Sequence, residues 1–112
     1  MTAATATHAE LIRAAAGHAT RISILAQFAT TPDPLSPVEL ADTLGQPLGD
    51  IAYHVRILRQ ADLLTETHTT PRRGALTHHY RPNRSALRAL HTGLGELRDQ
   101  LDAIIAIDGG GR

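Results

Sequence analysis

The side chains of this chain that can do chemistry are mainly arginines and histidines. The 112 residues include 11 arginines, no lysine, 7 histidines and no cysteine. The lack of cysteine excludes disulfides and thiolate metal sites. The planar guanidinium group of arginine matches phosphate oxygens and guanine edges, and imidazole is a ligand for nickel and zinc. These residue types point to nucleic-acid binding and, as an alternative, to metal binding.

The arginines are unevenly distributed along the chain. The formal net charge of the whole chain is zero. Residues 51–88, however, hold seven arginines against only Asp62 and Glu66, a local excess of five positive charges. The rest of the chain carries the matching negative excess. A basic segment on a neutral chain is the electrostatic pattern typical of a nucleic-acid-binding surface.

Two short amphipathic helices are predicted within the segment that begins at residue 36. Ser36 can cap the first helix, Pro37 suits its first position and Glu39 completes a capping box. Gly45 is placed to end that helix in a left-handed conformation. The second helix is predicted to begin near Pro47. The tight turn between them is typical of a helix-turn-helix.

A β-hairpin is predicted to follow these helices. One strand runs from Leu63 to Thr69, the return strand covers Ala75 to Arg81, and Pro71–Gly74 has the composition of a turn. Helix-turn-helix followed by hairpin predicts a mainly α fold with a β-hairpin wing, the winged helix-turn-helix.

In a helix-turn-helix, the second helix enters the major groove and its N-terminal residues approach the bases. The residues predicted to make base or groove contacts are Leu48, Gly49, Asp50, Tyr53 and His54. Those predicted to contact phosphates are Arg56 and Arg59 on the helix and Arg72 and Arg73 at the hairpin tip. Few of these side chains read bases directly, so we expect DNA shape to contribute to specificity. An alternative for Tyr53 and His54 is that one packs inside while the other faces solvent.

The remaining helices frame this segment. A first helix is predicted over Glu10–Ala16, and a second carries an apolar stripe of Ile22, Ile24, Leu25 and Phe28. A final helix beginning near Asn83 or Ser85 has a leucine seam with spacings of three and four residues. Gly93 and Gly95 lie within it, which indicates a close helix approach or a bend. We expect one domain over residues 8–107, with flexible segments at 1–7 and 108–112.

The segments HATRISILAQFA, SPVELADTLG, YHVRIL, PRRGA and HHYR resemble the ArsR-type winged helix-turn-helix regulators, over roughly residues 17–84. The resemblance implies a sequence-specific DNA-binding transcriptional regulator that acts as a homodimer on a palindromic operator. It also implies dimerisation through the first and last helices and control by an effector. The interface residues expected from it are Leu11, Ile12, Leu87, Leu90, Leu94, Leu97, Leu101 and Ile104.

The metal sites of the best-known ArsR-type members are predicted to be absent here. The helix from Val38 to Leu44 lacks the cysteines of one site, and the places of the other hold Arg84, Ala86, Leu97 and Gln100. We therefore expect no required cofactor.

The histidines leave two alternatives open. A wing site for nickel or zinc would place His68 near His78 and His79 near Glu66, and His8 and His18 could coordinate across a dimer. His91 is expected at the interface. The other alternative is that the seven histidines are scattered surface or DNA-proximal residues that bind no metal, and that the regulator receives its signal from a partner protein.

Catalysis and membrane association are not expected. The chain has no cysteine nucleophile, no glycine-rich phosphate loop and no paired carboxylates in an apolar run. The N-terminus has no signal-peptide pattern, and no stretch is long and apolar enough to span a bilayer. The sequence therefore predicts a cytoplasmic protein that is not an enzyme.

Overall fold

A computed structural model describes residues 7–67 and 78–110. Over these ranges the chain forms five helices and one two-stranded antiparallel sheet, which confirms the predicted mainly α fold with a hairpin. The elements are α1 (His8–Ala16), α2 (Ala19–Gln27), α3 (Pro37–Leu44), α4 (Leu48–Gln60), β1 (Leu64–Thr67), β2 (His79–Pro82) and α5 (Arg84–Gly110).

The helix ends follow local side-chain chemistry. Ser36 accepts a hydrogen bond from the backbone N–H of Glu39, and the Glu39 carboxylate accepts one from the backbone N–H of Ser36. Helix α3 ends at Gly45, whose φ of 64° is the left-handed conformation that glycine adopts without steric cost. A second capping box, of Thr7 and Glu10, begins α1. The predicted bounds of α3 are therefore confirmed.

The core joins the inner faces of the helices to the start of the wing. Its fully buried side chains are Ile24, Leu40, Ile51, Val55, Leu58, Leu63 and Leu64. At about 25 cal/mol per Å² of apolar surface removed from water, each such side chain contributes about 1.5–3 kcal/mol to folding. This burial fixes α4 on one face and leaves its opposite face to solvent.

The predicted burial of the first two helices is wrong in detail. Ile22 is 51% exposed, whereas Thr20 and Arg21 are buried beside Ile24. In α1, the sequence predicts one apolar side of Leu11, Ile12, Ala15 and Ala16, but Ala14 is buried and Ala16 is exposed. The reason is the helical period of 3.6 residues, which aligns Arg21 with Ile24 and turns Ile22 to the other side.

The wing is attached directly to the helix-turn-helix. Strands β1 and β2 pair with Leu64 opposite Pro82 and Thr67 opposite His79. Leu35, immediately before the cap of α3, exchanges two backbone hydrogen bonds with Tyr80, of 3.0 and 2.9 Å. The predicted turn Pro71–Gly74 lies outside the described residues.

Helix α5 packs its first half on α1. A Cβ atom added at Gly93 would lie 2.8 Å from the Cβ of His8, so Gly93 permits the close approach that the sequence predicted; Gly95 has nothing within 4 Å. The radius of gyration is 17.1 Å, against about 13 Å for a compact chain of this length. The second half of α5 lies away from the body, and the helix continues to Gly110, beyond the predicted boundary at residue 107. No helix in the described ranges is long and apolar enough to cross a membrane.

Candidate nucleic-acid interface

The outer face of α4 is the surface that the helix-turn-helix presents. Ile51, His54, Val55 and Leu58 are buried on one side of α4, so the opposite side of the helix faces outward. The exposed residues that the sequence predicted for DNA contact are Leu48, Gly49, Asp50, Tyr53, Arg56 and Arg59. Tyr53 is 55% exposed and Leu48 is 49% exposed, and the Tyr53 ring lies 5.1 Å, centroid to centroid, from that of His54.

Gly49 and Asp50 occupy the first turn of α4. A Cβ atom at Gly49 would meet nothing within 4 Å, so the backbone there is open to a ligand surface. Asp50 lies where the helix dipole favours a negative charge. The N-terminus of α4 therefore offers close backbone approach and one carboxylate.

A DNA contact by His54 is not supported by the structure. Its ring is 7% exposed and lies 3.0 Å, Nδ1 to Nη1, from Arg21. The ring of His18 lies 4.4 Å away, centroid to centroid. The alternative in which one of the two aromatic residues packs inside is therefore the correct one: His54 is inside and Tyr53 is outside. Burial, with His18 and Arg21 nearby, lowers the pKa of His54, and Asp50 opposes that shift.

An open groove of about 580 Å³ separates α4 from the wing. Its apolar floor includes Val38, Ala52 and Val55, and its rim carries Arg56 and Arg59. Glu66 lies 4.0 Å from Arg59, Oε1 to Nε, and also contacts the imidazole of His78. The groove is therefore positively charged along α4, with one carboxylate on the wing side.

Two further contacts hold the wing in place. Nε2 of His79 lies 3.5 Å from a carboxylate oxygen of Glu39, and Arg81 donates a long hydrogen bond of 3.5 Å to the Pro32 carbonyl. Burial of the Tyr80 phenol, together with the nearby charge of Glu66, raises the pKa of Tyr80. The Arg72 and Arg73 predictions lie outside the described residues.

The histidines of the described ranges lie at several separate places, except that the rings of His18 and His54 are adjacent. The predicted proximity of His79 to Glu66 is wrong, because the strand register places Thr67 opposite His79, and His78 contacts Glu66 instead. His8 pairs with Glu96 at 2.6 Å, whereas His18 caps α2 by accepting from the Thr20 N–H. Within the described ranges, no three side chains of histidine, aspartate or glutamate are grouped to hold a metal ion. His68 lies outside these ranges.

The predicted dimer-interface residues fall into two groups. Leu11 and Leu90 are buried within the chain's own core, at 3% and 7% exposure, because α1 and α5 pack on each other there. Ile12 and Leu87 are partly buried against the same core. The other group is exposed and consists of Leu94, Leu97, Leu101, Ile104, Ile105 and Ile107. The sequence prediction contained the first four of these residues but not Ile105 and Ile107.

The sequence reasoning also missed Arg21. The Nε atom of Arg21 donates a 2.6 Å hydrogen bond to the Ala14 carbonyl, and Nη1 lies 3.0 Å from Nδ1 of His54. Arg21 lies three residues before Ile24 and therefore on the same buried face of α2, although the predicted stripe contained only apolar residues. Helical period applied to every residue type would have found it.

Comparison with known proteins agrees with this geometry. Residues 16–67 match the family model described as a helix-turn-helix domain. No protein of curated function matches the sequence. Solved structures show the same fold, among them an ArsR-like transcriptional regulator from Rhodococcus sp. RHA1, with 22% identity over 92% of this chain and 90% of that one and a TM-score of 0.64.

Two further structures have similar values. An ArsR family transcriptional regulator is 18% identical over 85% of this chain and 91% of its own, with a TM-score of 0.61. NolR from Sinorhizobium fredii is 22% identical over 80% and 81%, with a TM-score of 0.58.

The matched segment and the hairpin that follows it define the class of the protein: a winged helix-turn-helix. Its fold is the ArsR-type arrangement, as the sequence resemblance predicted. The helix-turn-helix is a DNA-binding module, which agrees with the prediction that the protein is not an enzyme.

Proposed function

We propose that this protein is a transcriptional regulator that binds double-stranded DNA sequence-specifically, as a homodimer on a palindromic operator. The observation that carries the proposal is the outer face of α4. It exposes Tyr53, Arg56 and Arg59 beside a wing that is hydrogen-bonded to the same helix-turn-helix.

The proposed contacts divide by chemistry. Arg56 and Arg59 neutralise phosphates, and Arg72 and Arg73 of the wing are proposed, from the sequence, to do the same. Leu48, Gly49, Asp50 and Tyr53 approach the bases or the groove walls. The only carboxylate among them, Asp50, suits a cytosine amino group. With so few base-reading groups, DNA shape supplies a share of the specificity.

The exposed half of α5 supports the homodimer. Ile104, Ile105 and Ile107 are 61%, 66% and 76% exposed, and Leu94, Leu97 and Leu101 extend the same apolar surface. An apolar surface of this extent on a helix of 27 residues is typical of an interaction site. A second copy of the chain offers an identical surface and covers both at once.

DNA binding is tested with a duplex that the protein itself selects from a random pool. The wild type should bind it with an affinity that falls steeply with salt, because each neutralised phosphate releases counterions. Replacing Arg56 and Arg59 by Ala removes two contacts per protomer. In a dimer this should flatten the slope of log K against log salt by about four and weaken binding at least about tenfold.

The matched control is Arg98→Ala, an exposed arginine on α5 that pairs with Asp99. It should leave the slope unchanged. The Arg72→Ala, Arg73→Ala double variant tests the wing in the same assay. Failure to select any duplex, or equal slopes for wild type and the Arg56, Arg59 variant, would contradict the proposal. Added nickel or zinc should not change the affinity.

The dimer is tested by sedimentation. Ile104→Asp should convert the wild-type dimer into a monomer, because a carboxylate would be buried without a partner. Ile22→Asp, at an isoleucine of similar exposure on α2, is the control and should remain dimeric. A wild type that sediments as a monomer at high concentration would refute the homodimer and favour a partner protein on this face.

A further inference from the structure

A cluster of three basic side chains joins α4 to the end of α1. We call Arg21, His54 and His18 the basic cluster. Arg21 and His54 are buried, at 9% and 7% exposure, and the His18 ring lies over His54 from the solvent side. Burying a guanidinium group is costly unless its donors are satisfied. The hydrogen bonds of Arg21 are therefore needed to offset the cost of its burial.

The hydrogen bonds of Arg21 determine the protonation state of His54. One donor, Nε, binds the Ala14 carbonyl at 2.6 Å, and another, Nη1, lies 3.0 Å from Nδ1 of His54. Arginine has donors only and stays charged in proteins. Nδ1 of His54 must therefore be the acceptor, and the ring is neutral with its proton on Nε2. A proton on Nδ1 would remove this hydrogen bond and face the guanidinium group with a second positive charge.

We propose that Arg21 is a positioning residue that holds recognition helix α4 against α1 only while His54 is neutral, so that acidification releases α4 and weakens DNA binding. The inference rests on the proposed function. Arg21 and His54 touch no DNA in it. They act through the placement of α4, whose opposite face carries the proposed contacts.

The surroundings of His54 favour this neutral state. The charged and titratable groups around it in the described ranges are Arg21 and His18 from α2 and its cap, and Asp50 and Tyr53 from α4 itself. Helix α1 contributes the uncharged carbonyl of Ala14. Burial lowers the pKa of His54 most, His18 and Arg21 lower it further, and Asp50 alone raises it. The balance opposes a charged ring in the observed position.

Gly17 makes the approach of Arg21 possible. A Cβ atom at Gly17 would lie 2.4 Å from the Arg13 carbonyl oxygen and 2.7 Å from Nη2 of Arg21. Helix α1 in turn packs on α5, through His8 and Gly93. The hydrogen bonds of Arg21 therefore lie between the recognition helix and the helices that the proposed dimer uses.

The test compares wild type with His54→Asn. The Asn oxygen can take the place of Nδ1 as acceptor but does not titrate in this range. Affinity for the selected duplex is measured at pH 5.5 and 8.0 at constant ionic strength. The ratio of the wild-type Kd values, pH 5.5 over pH 8.0, should exceed the ratio for His54→Asn about tenfold, the effect of one charge-assisted hydrogen bond.

Two further variants sharpen this test. His8→Asn removes an imidazole at the start of α1, outside the basic cluster and paired with Glu96, so its ratio should stay close to that of wild type. Arg21→Lys replaces the guanidinium group, which donates to both Ala14 and His54, by a single ammonium group. It should weaken binding at pH 8.0 and reduce the ratio towards that of His54→Asn. Acidification in general adds positive charge to a protein and by itself strengthens DNA binding. A wild-type affinity that is lower at pH 5.5 than at pH 8.0 therefore has the opposite sign to this general effect.

Nitrogen-15 NMR of the imidazoles gives a readout without DNA. In the free wild type, His54 should show an unprotonated Nδ1 and should titrate below the exposed histidines. Equal Kd ratios for wild type and His54→Asn would overturn the inference while leaving the proposed function intact. If no duplex is selected, the proposed function fails, and the predicted weakening of DNA binding by acid fails with it. A His54 that titrates like an exposed histidine overturns the role of Arg21 in either case.

Discussion

The contact between α1 and α5 leads to a prediction about two glycines in one helix. Gly93 and Gly95 lie two residues apart in α5, and the sequence treats them alike. The structure separates them, because a Cβ atom at Gly93 would be 2.8 Å from Cβ and 3.0 Å from Cγ of His8, whereas one at Gly95 would meet nothing within 4 Å. Gly93→Ala and Gly95→Ala are therefore expected to change stability in different ways.

Two effects decide the magnitudes. Replacing glycine by alanine inside a helix stabilises it by about 1 kcal/mol, and Gly95→Ala should gain most of this. At Gly93, the nearest atom is a Cβ fixed to the backbone of α1 and not the end of a flexible side chain, so α1 must move. Overpacking of this kind costs about 1–3 kcal/mol. The net result for Gly93→Ala is a loss of up to about 2 kcal/mol.

The measurement is the free energy of unfolding in urea, at several protein concentrations so that dimerisation is accounted for. Gly95→Ala is the matched control for helix propensity. We expect it to be more stable than Gly93→Ala by about 1–3 kcal/mol. If the two variants are equally stabilised, the close packing of α1 on α5 described above is incorrect.

Other substitutions test the groove, a helix cap, the core and the pH dependence. Glu66→Gln frees Arg59 and removes a negative charge that would face phosphate, so DNA affinity measured by fluorescence anisotropy should rise about two- to fivefold. Asp102→Asn on α5 is the control. Weaker binding by Glu66→Gln would contradict the proposed contact of Arg59 with phosphate. Ser36→Ala should lose about 0.5–2 kcal/mol of unfolding free energy with the cap of α3, and no loss would exclude the cap's role. Leu58→Ala should lose about 2–5 kcal/mol, since the side chain is fully buried; a loss below 1 kcal/mol would contradict that burial. Folding lowers the pKa of His54, so the contribution of neutral His54 to stability is complete above the ordinary pKa of 6.5 and is lost as the pH falls through the folded pKa. The free energy of unfolding in urea should therefore fall more with acid for wild type than for His54→Asn. An identical dependence of this free energy on pH in the two proteins would rule this out.

The parts of the fold that were predictable from the sequence are those set by neighbouring residues. Ser36, Pro37 and Glu39 specify the start of α3, and Gly45 specifies its end, because capping and left-handed backbone depend on a few adjacent groups. The hairpin and the outward face of α4 follow from the same local reasoning. These elements are enough to indicate a winged helix-turn-helix.

The remaining features depend on contacts between residues distant in sequence. Arg21 and His54 are 33 positions apart, and no local pattern shows that a guanidinium group and an imidazole will share a buried site. Leu90 was expected at the interface because a leucine seam does not reveal which part of it the chain's own helices cover. The strand register, which brings His78 and not His79 to Glu66, was likewise outside the reach of spacing arguments.

The bridge between Leu35 and Tyr80 has a consequence for how a signal can act. Leu35 pairs with the wing and is followed directly by the cap of α3, so strand pairing and the covalent chain join the wing to the helix-turn-helix. Backbone pairing therefore holds the wing beside the start of α3, and in the proposed regulator each protomer would present the two to DNA as one unit. In the proposed dimer, a signal that moves this unit relative to its partner copy would change the spacing between the two half-site contacts. Operators that differ in the number of base pairs between half-sites are expected to respond to a signal differently, even when the half-sites are identical.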